Sequence, residues 1–135
     1  MIGNSELRIV RAADPTAPRQ LRHALRAFLD VFALDADFLE DVLLAVGEVL
    51  ANSVEHGCHG GSFHNLEMLA RSGKNGTLAI EVYDEGTFIE RERLPDRGYG
   101  LHIVRAIARK VTIETGQGTR VEMLFDATRL QSARS

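Results

Sequence analysis

Glu48 and Asn52 stand four residues apart in Glu48-Val-Leu-Ala-Asn52, and His56 follows at the same interval. On a helix that spacing is one turn, so the carboxylate and the amide share a face while Val46, Val49 and Leu50 point elsewhere. A carboxylate so placed could take a proton from an attacking hydroxyl or water. The neighbouring amide carbonyl is a hard oxygen donor, suited to Mg²⁺ held jointly with substrate phosphates. A bare Glu-x-x-x-Asn also fits an ordinary solvated helix face, so the pair needs company. Two signatures follow it in order, Asp84-Glu85-Gly86 and Gly98-Tyr99-Gly100. In the strand-like run Thr77 to Asp84, alternation puts Leu78, Ile80, Val82 and Asp84 on one face, so a carboxylate continues a core-facing series. Such a carboxylate needs a partner. An exocyclic adenine amine would supply one, and Gly86 would let the ring approach the backbone. Thr119 likewise continues the apolar register of Val121, Met123 and Phe125. Taken alone, Asp-x-Gly is also a plain strand-to-turn junction. Gly98-Tyr99-Gly100 leaves bare N–H groups at a helix N-terminus, where the macrodipole favours phosphate, and Arg97 and Arg105 could add charge. It is neither a P-loop, lacking the Gly-Lys-Ser/Thr, nor a dinucleotide fingerprint, lacking the surrounding parallel unit. The order of the set suggests a nucleotide site.

His56, Cys58, His59 and His64 invite a zinc reading, but their spacing matches no common ligand pattern. His56 reads more simply as a core-edge histidine or helix cap.

The elements that must position these groups are legible as periodicities. Glu6 to Val10 predicts a strand, and Asp14-Pro15 an N-cap with proline at the first helical position. Leu21, Leu25, Phe28, Leu29 and Phe32 form one apolar stripe, with Arg19, Arg22 and Arg26 on the other side. Asp37 to Glu40 reads as a second N-cap, and Phe38, Val42, Val46, Val49 and Leu50 as a second stripe running to His56-Gly57. Phe63 to Arg71 and Thr77 to Asp84 predict an antiparallel pair joined by a turn over 72–76. Residues 87–97 read as a surface loop. Leu101, Val104, Ile107, Ala108 and Val111 mark a third helix, and Val111 to Thr115 and Thr119 to Phe125 two strands joined at Gly116-Gln117-Gly118. The element order predicts an α+β sandwich: a mostly antiparallel sheet of about four or five strands with three helices on one face.

The bulk numbers narrow the class. The 135 residues, 44% of them hydrophobic, fit one domain over 1–135, with a core at 5–126 and a polar tail at 127–135. The lone Cys58 excludes an internal disulfide framework. A net charge of -3 argues against a nucleic-acid surface. Short apolar runs and the N-terminus Met1-Ile-Gly-Asn predict neither a membrane span nor a secretory signal, and so a soluble cytoplasmic chain.

The whole set, Glu48-x-x-x-Asn52-x-x-x-His56-Gly57, Asp84-Glu-Gly86, Arg97-Gly-Tyr-Gly-Leu-His-Ile-Val-Arg105 and Gly118-Thr119, resembles the bacterial anti-sigma-factor serine/threonine kinases of the GHKL (Bergerat-fold) ATPase superfamily. The resemblance runs from the first strand to about Asp126. It implies a Bergerat-type two-layer α/β sandwich binding ATP and Mg²⁺, with Glu48 as general base and Asn52 as metal ligand. It implies further that Asp84 and Thr119 recognise adenine, that Gly86, Gly98 and Gly100 shape the pocket and its lid, and that Arg97, Leu101 and Arg105 complete the nucleotide contacts. The implied partners are a sigma factor and a small anti-sigma-factor antagonist carrying the phosphorylated serine or threonine, and homodimers are common in that family. An alternative is a non-catalytic ATP-binding switch for protein interaction, motivated by Thr87-Phe88 standing where family members often carry a second glycine.

Overall fold

The computed structural model describes residues 5–57, 64–73, 75–85 and 100–126. In chain order these form β1 (Ser5–Ala12), α1 (Ala17–Asp30), α2 (Ala36–Gly57), β2 (Asn65–Ser72), β3 (Thr77–Asp84), α3 (Gly100–Ile107), β4 (Lys110–Gly116) and β5 (Gly118–Asp126). The strands make one sheet in the order β1-β2-β3-β5-β4, with every neighbouring pair antiparallel. The expected α+β sandwich is therefore the observed one, with an all-antiparallel sheet.

Strand alternation creates the layers. Registers align Leu7, Ala70, Ile80, Met123 and Val111 in one cross-strand row and Ile9, Met68, Val82, Val121 and Ile113 in the next. Both rows face the helices and pack in the core. The opposite face carries charge pairs, among them Arg8 with Glu67 and Arg120 with Glu81. Helix α2 lies centrally, touching α1, α3, β2, β3 and β5. Its Phe38, Val42, Val46, Val49 and Leu50 are all buried, the stripe that the sequence marked. Each such side chain taken from water stabilises the fold by about 1.5–3 kcal/mol. Helix α1 adds Leu21, Leu25 and Leu29, each about one turn beyond the last.

The helix starts differ from expectation. Helix α1 has Thr16 as its N-cap, with proline inside its first turn at Pro18 and not Pro15. Asp14 instead closes a small turn before it, its Oδ1 accepting from Thr16 N at 2.9 Å and from Thr16 Oγ1 at 2.6 Å. The Thr16 hydroxyl, and next its amide, hold the Asp14 carboxyl below its ordinary value. Helix α2 is capped by Asp35, not Asp37: Phe38 N donates to Asp35 Oδ2 at 3.2 Å and Leu39 N to the Asp35 carbonyl at 2.9 Å. In both places several acidic or hydroxyl residues precede the stripe, and propensity does not choose among them. Helix α3 stops at Ile107, and Val111 belongs to β4, where it continues an inward row. Phe63, Cys58, His59, the loop 87–97 and the tail 127–135 lie outside the described residues.

Candidate functional site

Two clusters assemble from distant parts of the chain. In the first, α2 presents Glu48 and Asn52, both half-buried, toward the first residue of α3. The backbone of Gly100 approaches so closely that a Cβ built there would stand 3.0 Å from Glu48 Oε1 and 3.8 Å from Asn52 Nδ2. Glycine at this position gives the carboxylate and amide room against a helix N-terminus. The arrangement sets a proton acceptor and a hard-oxygen amide beside the end of α3 where the macrodipole favours anions. Leu101 is half-buried in the first turn of α3. Arg105 is exposed in the last turn, about 7.5 Å beyond Gly100 along the helix axis. There it complements the dipole of its own helix.

In the second cluster, β3 and β5 pair Asp84 directly with Thr119, and both are 1% exposed. Their row continues through Leu66 on β2 and Thr115 on β4, on the helix-facing side of the sheet. This is the register that alternation predicted. The carboxylate is not stranded, however: among the described residues no buried side-chain nitrogen or oxygen lacks a hydrogen-bond partner. The fold itself therefore supplies the buried Asp84 with a partner.

The rung is held from several sides. Gly118 lies at φ +93°, and a Cβ there would fall 2.4 Å from the Asp84 carbonyl oxygen and 3.2 Å from Glu85 Cα. Only glycine lets β5 begin against the end of β3. On the opposite face, Tyr83 and Arg120 are the cross-strand partners next to the rung. The Tyr83 hydroxyl donates to the Gln117 carbonyl at 2.8 Å, and the Arg120 guanidinium sits 4.8 Å from the centre of the Tyr83 ring. Arg120 also pairs with Glu81 and lies 3.9 Å from Glu114. Glu85, the middle residue of Asp84-Glu85-Gly86, ties the strand end to β2: its Oε1 accepts from Asn65 N at 3.0 Å, and His64 Nδ1 is 3.7 Å away.

Of the residues that the sequence singled out, Glu48, Asn52 and Gly100 meet in one cluster, and Asp84 and Thr119 in the other. Gly86, Arg97 and Gly98 lie outside the described residues. The sequence reading passed over the brace of Tyr83, Gln117 and Arg120. Period-2 alternation already put Tyr83 and Arg120 on the solvent face, but only the β3–β5 register makes them neighbours.

The comparisons with known proteins agree with this architecture. Residues 11–125 match the model of the histidine kinase-like ATPase domain family. Among solved structures, the RsbU and RsbW domains of a Mycobacterium tuberculosis protein superpose with a TM-score of 0.72 at 24% identity, over 90% of this chain and 32% of that one. The blue-light-activated histidine kinase of Erythrobacter litoralis superposes with a TM-score of 0.61 at 17% identity, over 73% of this chain and 33% of that one. Its histidine kinase domain gives 0.57 at 17% identity, over 70% of this chain and 47% of that one. This chain thus spans less than half of each of those chains, and at these identities the likeness is one of fold. With the family match running from β1 through β5 and taking in both clusters, the chain belongs to the histidine kinase-like ATPase domain family.

Proposed function

We propose that this protein is an ATP-dependent serine/threonine kinase acting as an anti-sigma factor, which phosphorylates a small antagonist protein and sequesters a sigma factor. The observation that carries the reading is the meeting of Glu48 and Asn52 at Gly100. In this reading the two would serve as base and metal-binding amide where a helix N-terminus would receive phosphates. The likeness to a protein described as containing an RsbW domain supports the family branch.

In this reading Asp84 accepts from the adenine amino group and Thr119 contributes its hydroxyl at the same rim. Gly86 and Gly98 give the nucleotide close access to backbone, while Arg97 and Arg105 supply positive charge. Asn52 would hold Mg²⁺ through its amide oxygen, and the ion, when bound, neutralises charge building on the phosphates. Glu48 takes the proton from the partner's serine or threonine hydroxyl. That oxygen bonds to the γ-phosphorus as the bond to the bridging oxygen breaks, leaving ADP. Phosphoryl transfer asks the protein mainly for position and electrostatics, and two groups held against a helix end provide both.

The test is calorimetry of Mg²⁺-ATP binding followed by phosphorylation of an antagonist-like protein encoded beside this gene. Asp84→Asn and Asn52→Ala should each weaken nucleotide binding by about tenfold or more. Glu48→Gln should keep binding and slow transfer by about 10²–10⁴. ATP binding with no transfer by the wild type would leave a non-catalytic switch; no binding at all would remove the nucleotide reading.

A further inference from the structure

A second surface stands apart from both clusters. Helices α1 and α2 enclose an open groove of about 430 Å³ lined by Arg19, Arg22, His23, Arg26 and Glu40, with Leu44 on its rim. Of the four basic side chains, Arg26 alone has a partner among the described residues, Glu40 Oε2 at 2.8 Å. Arg19, Arg22 and His23 are exposed, and Leu44 is 49% exposed beside them.

The placement of these charges opposes the stability of their own helix. Arg19, Arg22 and Arg26 recur at intervals of three and four, so with His23 they form one stripe, and the like charges of the arginines repel at those intervals. Arg19 stands in the first turn of α1, the end that disfavours cations, and that turn contains no acidic residue. A stripe that destabilises the free helix is relieved by an acidic partner. Arg22 is also seated in a notch of α2: a Cβ on Gly47 would lie 3.2 Å from its Nη1 and 3.6 Å from its Cδ. Gly47 precedes Glu48, so Arg22 itself packs on the turn of α2 that carries the proposed base.

We propose that the α1–α2 groove docks an acidic segment of a partner protein, with carboxylates against Arg19, Arg22 and His23 and an aliphatic side chain on Leu44. Charge complementarity favours this occupant: Arg19 and Arg22 are exposed guanidiniums on one face of α1 with no ion-pair partner among the described residues, so an acidic segment can be steered and held there. A nucleic acid would need an extended basic face to follow, and the groove offers four basic side chains on a single helix. The proposal deepens the kinase reading, on which it rests for what the docked partner undergoes, while the docking itself can be measured separately.

The probe is a fluorescent amphipathic peptide with glutamate and leucine at helical spacing, and its glutamine-for-glutamate counterpart as the uncharged control. Anisotropy should show the acidic peptide bound and the glutamine peptide not, with affinity falling as salt rises. Arg19→Glu with Arg22→Glu should weaken binding by about tenfold or more while leaving ATP affinity unchanged, and Arg22→Lys should keep most of it. If the double variant fails to fold, Arg22→Gln alone should still lower affinity several-fold. Equal binding of both peptides, equal binding by wild type and charge-altered protein, or displacement of the peptide by inorganic phosphate or single-stranded DNA at matching concentration would overturn the proposal. Loss of ATP binding by the wild type would sink the kinase reading and leave the peptide result to decide the groove.

Discussion

Gly118 and Gly116 flank Gln117 in the same tight turn, yet alanine should act on them differently. At Gly116, φ is +145° and a Cβ would meet nothing within 4 Å. Gly116→Ala therefore carries backbone strain alone, about 1–2 kcal/mol. At Gly118 a Cβ adds a 2.4 Å clash with the Asp84 carbonyl to a strained φ of +93°. Gly118→Ala should cost about 3 kcal/mol or more in denaturant unfolding. It should also weaken ATP binding in whatever fraction folds, because β5 must move from the Asp84–Thr119 rung. Equal losses for the two variants would show that the close approach is not what holds the rung. At this scale much of the candidate site is legible, since Asp84 and Thr119 betray themselves as polar residues in apolar registers. Gly118 belongs to the Gly118-Thr119 signature, but its need to clear a carbonyl is not legible in sequence, because that carbonyl belongs to a strand distant in the chain.

The elements were legible to the extent that their apolar periodicity was long. Strand β3 and the stripe of α2 fall where alternation and one-turn spacing put them, because burial of many side chains outweighs any local ambiguity. Ends were less legible, because one hydrogen bond decides them. Asp35 and Asp37 are equally good caps by residue type, and only the Phe38 amide distinguishes them. Asp35→Ala should then cost about 1 kcal/mol in chemical unfolding, and Asp37→Ala only a few tenths through the dipole. The reverse order would reinstate the cap expected from sequence. The third stripe shows a further limit, for Val111 suits a helix period as well as the strand row in which it lies. The α1–α2 groove was half visible: the sequence separates the arginines from the leucines of α1, but it does not tell which helix they will face.

For the molecule as a whole, the sheet order β1-β2-β3-β5-β4 has a kinetic consequence. Strands β2 and β3 form one hairpin and β4 and β5 another, each closed by a short turn. Their common seam, β3 against β5, joins segments far apart in the chain, so closing it carries the larger loop entropy. The Asp84–Thr119 rung lies at one end of that seam. A nucleotide held there would act as a clasp between two hairpins that can each form without it. Contacts made after the folding barrier slow unfolding and leave folding nearly unchanged. Stopped-flow unfolding should accordingly slow as ATP is added, by about 100-fold if the ligand is at 100 times its dissociation constant, while refolding keeps its rate. Faster refolding with unfolding unaltered would mean that the seam closes early and the clasp is part of the nucleus. With the late seam, ATP held at the rung would set how long a molecule stays folded, so nucleotide supply would govern the lifetime of the protein as well as its chemistry.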